Sequence, residues 1–142
     1  MLGSSIQTRL LIAGEADLTE LCSLCEEVGL GSAPNQPSID LAGIMNMPTG
    51  RVWVARRGGI AVGCIAAVFE GRRGWIYYLG VKEVARKTDL APQLREVAEQ
   101  YLKSLNAPKV LLMVRNSTPA LHKYFARNGY TRDDVSVMGK WL

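Results

Sequence analysis

Three cations crowd one loop. Residues 81–91 read Val-Lys-Glu-Val-Ala-Arg-Lys-Thr-Asp-Leu-Ala, which sets Lys82, Arg86 and Lys87 against Glu83 and Asp89. The loop runs into the strongest helical periodicity of the chain. The amino end of a helix offers unpaired N–H groups and a positive dipole, so a basic loop entering one suits a phosphate. Charge by itself favours the plainer reading, a solvated loop with ordinary surface lysines. Other reactive residue types carry less. Cys22 and Cys25 make a C-x-x-C string with no second pair at zinc spacing. The string lies on the apolar stripe of a helical segment, which favours buried structural thiols over metal or redox chemistry, and no metal site is expected. Cys64 falls inside an apolar strand and reads as core. His122 is the single histidine, and its place on a short helix suits a surface position better than catalysis. Arg72 and Arg73 near Trp75, Tyr77 and Tyr78 mix cations with aromatics, as nucleic-acid surfaces do. Alternation instead puts Trp75, Tyr77, Leu79 and Val81 on one sheet face, which is core building.

The elements that hold these residues follow from periodicity and punctuation. Residues 6–12 read as a strand. Leu18, Leu21, Cys22, Cys25 and Val28 give 17–28 the spacing of an amphipathic helix, closed by Gly29. Ser38 is expected to cap a short helix over 39–45, with Asp40 in its first turn favoured by the dipole. Strands at 52–56, 60–69 and 75–81 are separated by glycine-rich turns, which call for antiparallel neighbours. Leu90, Leu94, Val97, Ala98, Tyr101, Leu102 and Leu105 define the clearest helix. A strand at 109–115 follows it, and strand-helix-strand of this length implies a right-handed parallel crossover. A helix over 119–128 and a last strand over 135–141 complete an α+β domain. Its mixed sheet is antiparallel at first and then contains one parallel β-α-β crossover, with helices flanking both faces.

Bulk properties narrow the class. The chain has 142 residues, 48% hydrophobic and 21% charged, which fits a single domain over 1–142 with a sizeable core. The longest uncharged apolar stretch, 60–69, is half the roughly 20 residues a spanning helix needs, so no membrane association is expected. Three cysteines are an odd count in a chain with a good core, and the amino end lacks the charged-apolar-small order of a secretory signal. A cytoplasmic protein is expected. The formal charge of +4 suits an anionic ligand and falls short of a nucleic-acid signature.

The order of elements and three local strings resemble the GNAT superfamily of N-acetyltransferases, over most of the chain and most sharply from 52 to 130. Trp75-Ile76-Tyr77-Tyr78-Leu79-Gly80-Val81 is similar to the family's fourth strand, along which the pantetheine arm of acetyl-CoA lies. The family's pyrophosphate loop has the pattern Q/R-x-x-G-x-G/A. Here Arg86-Lys87-Thr88-Asp89-Leu90-Ala91 matches at Arg86 and Ala91, while Asp89 replaces the central glycine. Residues 115–130 resemble the family's N-x-x-A-x-x-x-Y-x-x-x-G-F/Y region. Asn116, Tyr124, Gly129 and Tyr130 fall in place, and Ala120 comes one residue later than the plain spacing.

The resemblance implies acetyl transfer from acetyl-CoA to a small-molecule or peptide amine by direct attack in a ternary complex. It assigns coenzyme contacts to Leu79, Gly80, Val81, Arg86, Lys87, Thr88, Asp89, Leu90, Ala91 and Asn116. One N–H of 79–81 would stabilise the oxyanion. It gives Tyr124 the proton for the departing thiolate, since a phenol stays protonated at neutral pH and can donate. A helix tyrosine packing beside Leu121 and Phe125 is the structural alternative for Tyr124. For Asn116 the alternative is a turn residue before Ser117-Thr118-Pro119. No acid lies on the fourth strand to take the amine's proton, which leaves Glu70 or a water chain as base. The acceptor is expected to enter between the irregular segment 29–49 and the C-terminal strands. Asp89 opens a second reading: its carboxylate caps the helix, fills the anion site, and leaves a non-catalytic binding module. A nucleic-acid-binding protein is a third and weaker reading. Pairing of two copies is left open.

Overall fold

The structure is a computed structural model that describes residues 7–142. It divides into two units, 7–112 and Met113–Leu142. In the first, the elements run β1 (Thr8–Ile12), α1 (Leu18–Glu27), α2 (Pro37–Met45), β2 (Gly50–Arg57), β3 (Ile60–Phe69), β4 (Gly74–Val81), α3 (Leu90–Ser104) and β5 (Val110–Leu111). Short 3-10 turns at Glu15–Asp17 and Glu83–Ala85 lead toward α1 and α3. The five strands form one sheet in chain order, antiparallel from β1 to β4 and parallel between β4 and β5.

Strand β3 explains the architecture. It has no charged residue, and Ala61 to Val68 are all buried, as a middle strand covered on both faces must be. On one face Val62, Ile65 and Ala67 pack with Trp53, Ile76 and the α3 stripe of Leu90, Leu94, Ala98 and Leu102. On the other, Ala61, Cys64 and Ala66 pack with Val52, Val54, Leu21, Leu24 and Cys25 of α1, and Leu41 of α2. Each helix buries its apolar stripe against one face of the sheet, which gives three layers. The β2–β3 turn is built on Gly58 and Gly59, both at positive φ (60° and 80°), the geometry a two-residue hairpin loop needs.

The second unit consists of α4 (Pro119–Arg127) and irregular backbone on both sides of it. Pro119 starts the helix. Phe125 is buried, and its ring meets Tyr124 and Tyr130 edge-on at centroid distances of 5.1 and 5.4 Å.

Most elements fall where the sequence places them, and four details are corrected. Of the strand expected at 6–12, residue 6 lies outside the described residues. Helix α2 begins at Pro37 with Gln36 before it, so Ser38 sits inside the first turn and does not cap it. The strand expected over 109–115 is only Val110–Leu111, because its ladder with β4 covers two residue pairs. No strand forms over 135–141. Finally, Trp75, Tyr77, Leu79 and Val81 do not share one face. Between Cys64↔Gly80 and Ala66↔Tyr77 the partner strand has one residue, Ile65, where β4 has Tyr78 and Leu79. That bulge reverses the alternation, so Tyr77 and Tyr78 pack on the α1 side while Ile76, Leu79 and Val81 pack on the α3 side.

Candidate active site

The site is built around the outer edge of β4. Gly74 pairs with Val110 and Trp75 with Leu111, and there the ladder ends. Strand β4 runs on to Val81, so from Ile76 onward its edge has no ladder partner in the sheet. Unpaired N–H and C=O groups on such an edge are a template for an extended, amide-bearing ligand arm.

The bulge lies on this free stretch. Tyr78 adopts φ 56°, a left-handed conformation that costs a bulky residue about 1–3 kcal/mol. Three contacts hold it there. The buried Cys64 thiol donates to the Tyr78 carbonyl at 3.2 Å, and the Gly80 N–H faces the same sulfur. The Tyr78 hydroxyl donates to Asp40 Oδ2 of α2 at 2.6 Å. Burial, followed by the Asp40 carboxylate, pushes the Tyr78 phenol well above its ordinary range, so it remains a donor. A Cβ on Gly80 would come within 2.9 Å of both Leu30 and Val28, which explains a glycine beside the bulge. Cys64 faces Cys25, and that contact together with burial raises its thiol well above the usual range. Cys22 is half-buried one turn away on α1.

Beyond Val81 the chain turns through Glu83–Ala85 into the basic loop. Arg86 Nε donates to the Val81 carbonyl at 3.0 Å, tying the loop to the end of β4. The Thr88 hydroxyl donates to the Ala85 carbonyl and accepts the Leu90 N–H at 3.3 Å. Lys82 sits 3.8 Å from Glu27. Arg86, Lys87, Thr88 and Asp89 are exposed, Leu90 is buried in the core, and Ala91 packs at its margin. Asp89 occupies the position before α3, yet its side chain makes no capping bond. Its backbone, φ −87° and ψ 21°, is not the extended conformation from which a carboxylate reaches the first-turn N–H groups. The expectation of a self-filled anion site is therefore corrected.

In the second unit, Asn116 is exposed in the turn before α4, where the Thr118 N–H and hydroxyl both donate to the Arg115 carbonyl. His122 closes the same turn, with Nε2 3.0 Å from that carbonyl. Tyr124 is half-buried on α4. Glu70 is committed to the β3–β4 turn, where its carboxylate accepts the N–H groups of Arg72 and Arg73. The Asp40–Tyr78 pair is what the sequence reasoning missed. No local signal pointed to it, because the bulge that turns Tyr78 toward α2 is visible only in the register of β4 against β3.

The site thus joins a sheet whose last two strands pair only at one end to a basic loop that leads into the intervening helix. Comparison with known proteins names the class. A family model described as the acetyltransferase (GNAT) family matches residues 16–130. Acetyltransferase SG1711 of Sodalis glossinidius (strain morsitans) is 32% identical over 127 residues, 89% of each chain. Among solved structures, the aminoglycoside N-acetyltransferase AAC(6')-Iy in complex with CoA superposes with a TM-score of 0.82 at 12% identity, covering 99% of both chains. A Clostridium acetobutylicum predicted acetyltransferase with acetyl-CoA gives 0.76 at 16% identity, covering 94% of this chain and 96% of that one. These two likenesses are of fold. The chain belongs to the GNAT acetyltransferase family, and it is an acetyltransferase.

Proposed function

We propose that this chain transfers an acetyl group from acetyl-CoA to a primary amine of a small molecule, by direct attack within a ternary complex. The observation that carries this reading is the β4 edge, which runs on from Ile76 to Val81 beyond the two residue pairs that β5 makes with it. The basic loop fits the donor's diphosphate. Arg86 and Lys87 bring positive charge, and no carboxylate caps the start of α3. Residues 1–142 act as one domain in this reading, because the family match runs through both units. Free thiols at Cys22, Cys25 and Cys64 suit a reducing, cytoplasmic setting. Among the described residues no helix is long and apolar enough to cross a membrane.

Acetyl-CoA supplies the acyl group activated as a thioester. Backbone groups of Leu79, Gly80 and Val81 hold the pantetheine and carbonyl, with one N–H on the developing oxyanion. The residues from Arg86 to Ala91 hold the diphosphate, and Asn116 orders the coenzyme. Asp40 receives the acceptor: its Oδ2 is taken by Tyr78, and Oδ1 has no protein donor among the described residues. An ammonium there gives its proton up to carboxylate or water, and the free amine forms the new N–C bond as the C–S bond breaks. Tyr124, which holds the family's tyrosine position, donates the proton that the leaving thiolate needs. The neighbour AAC(6')-Iy, an aminoglycoside acetyltransferase by its name, supports a polyamine-like acceptor.

Thermal denaturation with and without acetyl-CoA tests the donor. The chain is stabilised, and Asp89→Gly adds little. No shift in the wild type beside a clear shift in Asp89→Gly would overturn the reading in favour of a binding module. Tyr124→Phe lowers turnover at least tenfold while coenzyme affinity stays nearly unchanged, and unchanged turnover would remove that role.

A further inference from the structure

One buried side chain that the acetyl-transfer reading leaves unused touches the strained turn of β4. Cys64 of β3 is wholly buried, and its thiol donates to the Tyr78 carbonyl at 3.2 Å. The Gly80 N–H faces the same sulfur, in keeping with the register Cys64↔Gly80. Cys25 of α1 meets it too, and that contact, followed by burial, raises the Cys64 thiol so that it stays a donor.

The geometry of one peptide unit links this contact to the site. In a trans peptide the C=O and the following N–H share a plane and point in opposite directions. A Tyr78 carbonyl aimed at the Cys64 sulfur therefore aims the Leu79 N–H away from it. The neighbouring donors are divided between the two sides of β4. The Lys82 N–H donates to the Val62 carbonyl of β3 at 2.8 Å, and the Gly80 N–H also faces β3. Alternation leaves Leu79 and Val81 for the other side, where β5 pairs only with Gly74 and Trp75. Val81 is in register with Gly63, so the ladder holds its peptide. Leu79 falls in the bulge, outside the register. The left-handed φ of Tyr78 beside it persists only where contacts over-determine it.

We propose that Cys64 is a positioning residue for acetyl transfer: through the Tyr78 carbonyl it holds the Leu79 N–H on the thioester carbonyl, where oxyanion charge develops. This role rests on the acetyl-CoA reading above, and it names, within 79–81, both the donor and the side chain that aims it. The thiol forms no bond to substrate and keeps its proton throughout. Removing it leaves the Tyr78 carbonyl without its donor, and the peptide plane then turns, N–H included.

The Leu79 amide proton of the 15N-labelled full chain reads the result. The probe is a ketone analogue of acetyl-CoA, in which a methylene between sulfur and carbonyl prevents transfer, with CoA as the control that lacks the carbonyl. In the wild type the Leu79 proton moves downfield at least about twice as far with the analogue as with CoA. Cys64→Ala loses most of that difference while affinity for the analogue stays within about threefold. Cys64→Val, which fills the site without a donor, shows the same loss, and Cys64→Ser, which keeps a donor, retains the signal. Circular dichroism confirms that each variant is folded. A packing role predicts a different order, because serine leaves about the same void as alanine and adds polarity. An unmoved Leu79 in a chain that binds the analogue would overturn the proposal. So would a wild-type response in both donor-less variants, or a serine variant no better than alanine. A wild type that binds neither compound fails the acetyl-CoA reading itself, and the proposal falls with it.

Discussion

A hydroxyl and a carboxylate 2.6 Å apart tie residues that are 38 positions distant in sequence. The Tyr78–Asp40 contact joins α2 to the strained turn of β4, so Asp40 serves both shape and charge. Replacing it by Asn keeps a hydrogen-bond acceptor and removes the anion. Asp40→Asn should raise KM for a cationic amine about tenfold and leave acetyl-CoA stabilisation intact. The Tyr78 phenol should also titrate at lower pH in this variant, because the Asp40 charge, one of the causes that raise it after burial, is gone. Phenolate absorbance follows that change, and an unmoved titration would separate Tyr78 from Asp40. Cys64 was legible in the sequence as core, since a small apolar residue suits a strand buried on both faces. Its grip on the Tyr78 carbonyl was not, because the alternation rule hides a bulge until the partner strand is known. Tyr124 and Asn116 were found through a motif and not through local physics. The turn and helix that hold them would form with other residues there.

Among the elements, α1 is fastened to the β2–β3 hairpin by one guanidinium. Arg56 reaches Asp17 and Glu20, each at 2.6 Å, and also the Gly59 carbonyl at 3.0 Å. The Gly14 N–H, then Arg56, holds Asp17 below the usual carboxylate range; for Glu20 the Ala61 N–H leads and Arg56 follows. Lowered folded values mean these carboxylates stabilise the protein fully above about pH 4.5, and that contribution fades as pH falls through the lowered values. Arg56→Ala should cost about 1–2 kcal/mol near neutral pH. Urea unfolding at several pH values should show the gap from wild type narrowing below about pH 4. A constant gap would contradict the assignment. Helix α3 and the three antiparallel strands were readable because their periodicity and glycine turns are local. Strand β5 was overread because a run such as Val110 to Val114 has strand propensity whether or not a neighbour runs alongside. Pairing is the property of two segments, and β4 is accompanied for two residue pairs only. The expected strand at 135–141 failed for the same reason.

For the whole molecule, a formal charge of +4 favours a ligand that carries phosphates. Coenzyme affinity should therefore weaken severalfold between about 0.05 and 0.5 M salt, as exposed Arg86 and Lys87 are screened. Isothermal titration reads this directly, and a salt-independent affinity would mean that the loop does not meet the diphosphate. The three-layer architecture was legible because one uncharged strand between amphipathic helices admits few other arrangements, whereas the division at residue 112 leaves no mark in composition. The supernumerary residue at Tyr78–Leu79 has a practical corollary for anyone recombining this chain with a relative. Every side chain of β4 downstream of that point is out of phase with those upstream. A crossover that drops or gains one residue there would turn Leu79 and Val81 away from the α3 layer and send Gly80, which has nothing to bury, toward it. Hybrids should inherit 76–81 as one indivisible block.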